Sequence, residues 1–340
     1  MVIESDNGAG CNWHPKYFHT FKKELKKMAG KKRFLVAIDG SAESKSVVQY
    51  ISRMLSPVET EIVLFHVLNK VPESYWDFGK GVEADVLSKK IKQQVEDHTT
   101  AIKAFMVDSK QLLMDANFRE ENTFVLIRDR ITGIARDIIV EAQRGYDGLI
   151  MGVAGTGKMK GAAVGSVSTK IIGALSTIPI CIVAGTPAGK NVMLALDGSA
   201  GSMRALDYTC SLLNGFKGKV ILFHALRHVG YPDPATGQLS AFEELERVLW
   251  NDIRNMLKPT LTEAKQRLRK AGRQEDAVIT KFVTGVSSRA GALIQEAENA
   301  GCNSIIVGRT GISQVEDFNI GRVANKVVQG ARNQAVWIIP

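Results

Sequence analysis

The chain has 340 residues, of which 45% are hydrophobic and 23% are charged, and its formal net charge is +9. This composition is ordinary for a globular protein, and the length is sufficient for two hydrophobic cores. Eight basic and three acidic residues fall within residues 1–33, so over half of the excess charge lies in an N-terminal leader. The composition therefore excludes an extensive basic face for nucleic-acid binding in the rest of the chain.

The cysteines predict neither a zinc site nor a disulfide framework. They form no CxxC pair, and we expect four reduced thiols, at Cys11, Cys181, Cys210 and Cys302. Cys11, His14 and His19 lie near one another in the leader, but three candidate ligands without a fourth do not make a metal site.

The sequence also argues against secretion and membrane insertion. The leader lacks the apolar segment of a secretory signal. The uncharged stretch between Lys170 and Lys190 contains several Gly, Pro, Ser and Thr residues, which a transmembrane span of about 20 apolar residues would not have. We therefore expect a cytoplasmic protein with no membrane span.

Short runs rich in Val, Ile and Leu alternate with longer helical patterns, in the same order in both halves. The first half has predicted strands near 34–38, 61–67, 123–127, 148–152 and 179–184, with helices near 42–55, 86–116, 132–144 and 165–175. The second half has predicted strands near 191–196, 219–225, 277–283, 304–308 and 335–339, with helices near 200–213, 238–271, 287–299 and 320–331. The long second helix of each half could be one helix or two.

The apolar runs do not alternate with polar residues, which indicates parallel strands buried on both faces. Strands that alternate with helices predict right-handed crossovers and a doubly wound sheet. The expected fold class is α/β, with two tandem Rossmann-like domains that each contain a five-stranded parallel sheet.

A duplication explains the repeated order of elements. Asp39-Gly40-Ser41 closes the first predicted strand, and Asp197-Gly198-Ser199 closes its counterpart 158 positions later. This spacing is too long for a solenoid repeat and is about the length of a domain. Thr186-Pro187-Ala188-Gly189 has the composition of a linker. The predicted organisation is a basic leader over 1–31, a first domain over 32–186 and a second domain over 187–340.

One glycine motif occurs twice, each time after the fourth predicted strand of its half. The first copy is Gly152-x2-Gly155-x9-Gly165-Ser166, and the second is Gly308-x2-Gly311-x9-Gly321-Arg322. Glycines let the backbone approach a polyanion, and the helix that begins at the third glycine directs unpaired N–H groups at it. The motif therefore predicts a phosphate cradle.

The position of the aspartates extends this prediction to a nucleotide. In a doubly wound sheet the ligand crevice lies at the carboxyl ends of the strands, where the strand order reverses. Asp39 ends the first strand and Gly152 ends the fourth, so both would line that crevice. The carboxylate of Asp39 could then accept hydrogen bonds from ribose hydroxyls or an adenine amine.

A P-loop is an overlapping alternative, because residues 152–158 fit G-x4-G-K. Met159 stands where a P-loop requires Ser or Thr to hold magnesium, and the second half has no lysine at the corresponding place. This argues against a P-loop, although Lys158 and Lys160 could still neutralise phosphates.

Taken together, the strand-end aspartate, the His-Val pair that ends the second strand and the glycine motif resemble the ATP-binding class of universal stress proteins, here as a tandem over residues 32–340. The resemblance implies an adenine nucleotide with its phosphates on the glycine motif. The residues that match in the first half are Asp39, Val67, Gly152, Gly155, Gly165, Ser166 and Val167. Those that match in the second half are Asp197, Ala225, Gly308, Gly311, Gly321, Arg322 and Val323.

The second copy departs from the family pattern at Arg322, where Ser or Thr is expected. The arginine could clamp a phosphate through two parallel hydrogen bonds, or its bulk could leave a degenerate site. The sequence favours ATP in the first domain over equal binding in both.

Some of these residues also have structural interpretations. Ser41 and Ser199 are expected to cap the helices that follow them, which is compatible with a ligand role for the aspartates. His66 and His224 end apolar strands with no acid or nucleophile at a readable spacing, so packing or hydrogen bonding is expected rather than catalysis.

The sequence predicts an ATP-binding, cytoplasmic stress-response protein in which nucleotide occupancy regulates conformation or the choice of an unidentified protein partner. No catalytic residues are assigned, and any ATP hydrolysis, with Mg2+ at the phosphates, would be slow. Two alternatives stay open: a phosphotransfer enzyme or ATPase that uses Asp39, Mg2+ and Lys158, and an interaction scaffold that binds no nucleotide.

The two domains are expected to form an internal pseudo-dimer, since two-fold contact is the commonest arrangement of such repeats. The last strand of each domain, near 179–184 and 335–339, is an edge that could pair across the interface. The whole chain could also form a homodimer.

Overall fold

The computed structural model describes residues 2–3, 30–69, 82–153, 164–228, 243–311 and 319–340. The chain folds into two compact units, Met1–Ile150 and Met151–Pro340. Several residues of the sequence-based predictions lie outside the described residues: Cys11, His14, His19, Gly155, Lys158, Met159 and Lys160.

Unit 1 is a parallel sheet with helices between its strands. Its strands are β1 (Val2–Ile3), β2 (Lys32–Ala37), β3 (Thr60–Leu68), β4 (Thr123–Asp129) and the start of β5 (Gly148–Gly152). Its helices are α1 (Ala42–Met54), α2 (Val82–Asp115) and α3 (Ile134–Ala142). The strand order is β1-β4-β3-β2, and the start of β5 lies beside β2, where Asp147 N donates to Arg33 O (2.8 Å). All pairings from β1 to β2 are parallel.

Unit 2 has the same alternation. Its strands are β6 (Ile180–Val183), β7 (Asn191–Ala195), β8 (Val220–Arg227), β9 (Val278–Val286), β10 (Cys302–Gly308) and β11 (Ala335–Ile339). Its helices are α4 (Ser166–Ala174), α5 (Ala200–Leu212), α6 (Glu243–Lys270), α7 (Arg289–Asn299) and α8 (Arg322–Gly330). The strand order is β6-β11-β10-β7-β8-β9.

Strands β7 to β11 form the five-stranded parallel sheet that the sequence predicts for the second repeat. The chain runs outward from β7 through β8 to β9, and then returns to place β10 on the other side of β7. The strand order therefore reverses between β7 and β10, and the doubly wound α/β fold is confirmed. A ligand crevice is expected at the carboxyl ends of these two strands.

The two predicted edge strands pair with each other. β6 and β11 are antiparallel, with Val183 opposite Ala335 and Ile180 opposite Ile338. This pairing removes an exposed row of backbone donors and acceptors from each strand. It also accounts for the boundary between the two compact units, which falls inside β5, because β6 is joined by hydrogen bonds to the last strand of the second repeat.

The core of unit 2 is centred on an aromatic residue of β11. Trp337 is completely buried, and its ring lies 5.6 Å from that of Tyr208 on α5, measured between centroids. β11 is buried along its whole length. A strand covered on both faces explains the continuous apolar run Ala335–Ile339, which has no polar alternation.

The structure answers one question that the sequence left open and shows one strand that the sequence did not predict. The long second helix of each half is a single helix, of 34 residues in α2 and 28 residues in α6, and α6 continues through Pro259. β1 is an addition from the leader: Val2 and Ile3 pair with Val125 and Leu126 at the outer edge of β4.

Three of the four cysteines lie within the described residues. Among the described residues, Cys181, Cys210 and Cys302 form no disulfide, and burial raises the pKa of Cys302 to about 12. Within the described ranges, no group of three potential metal ligands is found, and no helix is both long and apolar enough to cross a membrane.

Candidate functional site

The aspartate that follows the first strand of each repeat is held in a turn that also starts a helix. In unit 2, Asp197 Oδ1 accepts from Ser199 N (3.0 Å), and Ser199 Oγ accepts from Ser202 N (3.2 Å) at the start of α5. This confirms that Ser199 is a helix cap. In Asp-Gly-Ser the aspartate therefore stabilises the turn and the serine caps the helix. These contacts fix the Asp197 carboxylate at the carboxyl end of β7.

The corresponding turn of unit 1 has the same cap and a hydroxyl that donates to its aspartate. Asp39 Oδ1 accepts from Ser41 N (3.1 Å) and from Ser44 Oγ (2.8 Å), and Ser41 Oγ caps α1 by accepting from Ser44 N (3.2 Å). In unit 2 the hydroxyl of Ser202 donates instead to the main-chain oxygen of Ser199 (2.9 Å). The two aspartates occupy equivalent turns, but the serine hydroxyl donates to the aspartate in unit 1 and to the main chain in unit 2.

A histidine braces each of these turns from the neighbouring strand. His66 Nδ1 lies 2.7 Å from Ile38 O, and His224 Nδ1 lies 2.6 Å from Leu196 O. A carbonyl oxygen can only accept, so Nδ1 carries the proton in both rings. Each carbonyl belongs to the residue just before the aspartate. This confirms the structural interpretation of the two histidines.

Burial lowers the pKa of both His66 and His224 below the ordinary value, although the carbonyl contact and the nearby aspartate oppose this. Each ring therefore stays neutral in the folded chain when the unfolded chain takes up a proton, below about pH 6.5. The folded state binds fewer protons in that range, so the free energy of unfolding falls as the pH falls.

We expect a double variant, His66→Asn with His224→Asn, to lose less stability than the parent chain between pH 7.5 and pH 5.5. The asparagine Nδ2 can replace Nδ1 as donor to the carbonyl but takes up no proton. Urea denaturation followed by circular dichroism at both pH values measures this difference. Equal losses in the two proteins would show that these histidines do not carry the pH dependence.

The glycine motif of the second repeat lies directly against the Asp197 turn. A Cβ at position 311 would lie 2.8 Å from Asp197 Oδ2. A Cβ at Gly308, the last residue of β10, would lie 2.6 Å from the backbone carbon of Gly201 in α5. Position 308 has no room for a side chain because its neighbours are backbone atoms, and a side chain at position 311 would require the Asp197 carboxylate to shift. The structure therefore brings the aspartate and the glycine motif together at the point where the strand order reverses.

The loop of the glycine motif closes in the same way in both repeats. Gly321 N donates to Arg309 O (2.7 Å), and Gly165 N donates to Val153 O (2.8 Å). Gly321 and Gly165 are the N-cap residues of α8 and α4, and neither supplies a side-chain cap. Both helices therefore begin at a glycine of the motif. Glycine has no side chain, so it gives no capping oxygen to the N–H groups of the first turn.

The remaining predicted residues lie around these turns. Ser166, Arg322 and Val323 are exposed in the first turns of their helices, and Val167 is half-buried. The side chains of Val67 and Ala225 are buried, so only their backbone could face a ligand. Asp39 and Val67 belong to unit 1. Gly152, Gly165, Ser166, Val167 and all the described residues of the second motif belong to unit 2.

Sequence reasoning missed two features of unit 2. Arg309, the residue after Gly308, is 5% exposed and donates to main-chain carbonyls of α4. Phe282 stacks on His224 at 5.2 Å, and the guanidinium of Arg254 lies over the Phe282 ring at 4.9 Å. The only sequence signal for Arg309 was a charged residue directly after an apolar strand, which usually indicates a solvated turn.

The comparisons with known proteins agree with the fold and with the tandem repeat. The universal stress protein family matches residues 31–183 and again residues 189–340. A universal stress protein of Mycolicibacterium smegmatis is 25% identical over 313 residues, which cover 90% of this chain and 96% of the relative. The universal stress protein YxiE of Bacillus subtilis is 25% identical over 144 residues, which cover 41% of this chain and 92% of the relative.

A solved structure has the same fold over nearly the whole chain. The universal stress protein of Archaeoglobus fulgidus has a TM-score of 0.55 at 16% identity, and the match covers 92% of this chain and 97% of that protein. Since the family matches twice and spans almost all of the sequence, the chain belongs to the universal stress protein family, as a tandem member.

Proposed function

We propose that this chain is an ATP-binding stress-response protein, with one nucleotide site formed around each copy of the glycine motif. Occupancy of the sites would regulate the conformation of the motif loops and so the choice of protein partner. The sequence alone favours ATP in the first domain, and the observation that supports a second site is the contact between the second glycine motif and its strand-end aspartate. A Cβ at position 311 would lie 2.8 Å from Asp197 Oδ2, so the motif backbone and the aspartate approach each other closely at the reversal point of a doubly wound sheet.

The residues of the second repeat fit the parts of a nucleotide. The phosphates would lie over Gly308 and Gly311 and against the first turn of α8, which begins at Gly321 without a side-chain cap. Asp197 would accept from the ribose or the base, and the backbone at Ala225 would border the base. Arg322, exposed at the first position of α8, has the geometry to clamp a phosphate through two hydrogen bonds.

The first repeat contributes the same parts. Gly152, Gly165 and Ser166 supply the cradle, and Ser166 retains the hydroxyl that the family pattern expects. Asp39 and the backbone at Val67 would meet the ribose and base. Mg2+ would accompany the phosphates, and hydrolysis is not required for regulation by occupancy. The proposal includes a cytoplasmic location, a repeat pair that acts as an internal pseudo-dimer, and a protein partner or second copy that recognises the nucleotide-bound state.

We expect ATP to raise the melting temperature of the chain. A ligand that binds only the folded state stabilises it by about 2.7 kcal/mol per site at 100 times its dissociation constant. Differential scanning fluorimetry with increasing ATP and Mg2+ measures this, with inorganic triphosphate and adenosine as separate controls. A melting temperature that does not respond to millimolar ATP would contradict the proposal and favour the nucleotide-free scaffold.

A further inference from the structure

A buried arginine of the second glycine motif holds the helix that carries part of the first motif. Arg309 Nη1 donates to Ile172 O (3.0 Å), and its Nη2 donates to Leu175 O. Both carbonyls lie at the C-terminal end of α4, where Leu175 is the C-cap residue. The carbonyls at a helix C-terminus lack partners within the helix and carry the negative end of its dipole, so a guanidinium satisfies both needs.

Asn319, on the far side of the second motif loop, contacts the same helix. Arg309 Nη1 also donates to Asn319 O (2.7 Å), and Asn319 Nδ2 donates to Gly173 O (3.0 Å). Residues 309 and 319 flank the loop that ends at the N-cap of α8. The C-terminal end of α4 is therefore fixed by both ends of the second glycine-motif loop.

The N-terminal end of α4 is the cradle of the first motif. Its N-cap Gly165 donates to Val153 O (2.8 Å), and Ser168 Oγ donates to Gly152 O (3.1 Å). The helix has only nine residues, too few to be stable alone, so its direction depends on what anchors its two ends. Ile171 and Leu175 are completely buried and add an apolar anchor.

The position of the first motif that corresponds to Arg309 does not hold an arginine. The counterpart of Arg309 in the first motif is Val153, which has no donor with which to hold α8. Arg309 itself is buried, and a buried cation is costly unless its hydrogen bonds are made. Three carbonyl oxygens accept from it, which holds its guanidinium in one place.

We propose that Arg309 is a positioning residue of the first phosphate cradle, because it and Asn319 hold the C-terminal end of the helix whose N-terminal end forms that cradle. The inference rests on the proposed function for its ligand. It follows that nucleotide binding at the two motifs is coupled, since Arg309 belongs to the second motif and holds the helix of the first.

The test compares three single variants of the full chain. Arg309→Met removes the donors, and Arg309→Lys keeps the charge but cannot reach three carbonyls with a planar fork. Arg332→Met is the matched control, because Arg332 is an exposed arginine that donates to Gln329 O (2.9 Å) at the end of its own helix, α8. The dissociation constant for ATP at the first motif is measured by titration, and hydrogen exchange is followed in a peptide over residues 164–175.

We expect Arg309→Met to weaken ATP binding at the first motif by about tenfold, with Arg309→Lys between it and the parent chain. Hydrogen exchange of the α4 amides should rise in Arg309→Met and stay unchanged in Arg332→Met. Affinity within twofold of the parent chain in Arg309→Met overturns the inference. If that variant does not fold, Arg309→Lys decides by the same criterion.

The exchange measurement separates this inference from the proposed function. If the parent chain binds no ATP, the proposed function fails, and the ATP titration is no longer informative. Unchanged exchange of α4 in both Arg309 variants would then overturn the positioning role as well. Increased exchange of α4 in these variants would show that Arg309 positions α4. The ligand of the first motif would then be a molecule other than ATP.

Discussion

Gly311→Glu is expected to abolish nucleotide binding at the second motif. The new Cβ would lie 2.8 Å from Asp197 Oδ2, and the added carboxylate would stand beside an existing carboxylate and in the path of the phosphates. A loss of affinity of about 100-fold or more, which corresponds to about 2.8 kcal/mol, is expected at this site. Equilibrium dialysis with labelled ATP measures it.

Gly291→Glu is the matched control for this variant. It adds the same side chain at an exposed position near the start of α7, where the nearest atom to a new Cβ is Ser288 Cβ at an ordinary 3.4 Å. A glutamate in the first turn of a helix is favourable. ATP binding should be unchanged in Gly291→Glu. If Gly311→Glu also retained full binding at two sites, the second motif could not be a phosphate cradle.

Trp337→Ala is expected to cause the largest loss of stability. The side chain is completely buried and lies beside the ring of Tyr208, and replacing a buried tryptophan with alanine costs about 3–5 kcal/mol. Urea denaturation of the full chain, followed by circular dichroism, should show the transition that includes the β-sheet of unit 2 at a clearly lower urea concentration.

Ile279→Ala provides the comparison for that measurement. Ile279 is a strand residue of the same sheet, on β9, but its side chain is 39% exposed, so its truncation removes less buried surface. Its transition should shift much less than that of Trp337→Ala. Equal shifts in the two variants would mean that Trp337 is not at the centre of the unit 2 core.

The strands and the site geometry were largely predictable from the sequence. Unbroken runs of aliphatic residues such as 335–339 indicate strands buried on both faces, and the structure confirms them. The reversal of strand order next to Asp197 follows from the repeated strand–helix alternation. Ser199 was identified as a cap because Asp-Gly-Ser combines turn and cap chemistry.

Contacts between residues far apart in sequence could not be predicted in the same way. Arg309 lies 137 positions from Ile172, and no local pattern indicates that a charged residue after a strand turns inward to helix carbonyls. The continuity of α6 was also unpredictable, because Pro259 usually breaks a helix, and here tertiary packing of Leu257 and Ala264 outweighs that tendency. Local patterns determine elements, whereas these two features depend on tertiary contacts.

The measurement that tests the central claim most directly is the number of ATP molecules bound per chain at saturation. The account predicts two in the parent chain, one in Gly311→Glu and one in Gly155→Glu, the corresponding change in the first motif. One molecule in the parent chain, lost only in Gly155→Glu, would contradict a working second site and assign a blocking role to Arg322. No bound ATP in the parent chain would contradict the account as a whole.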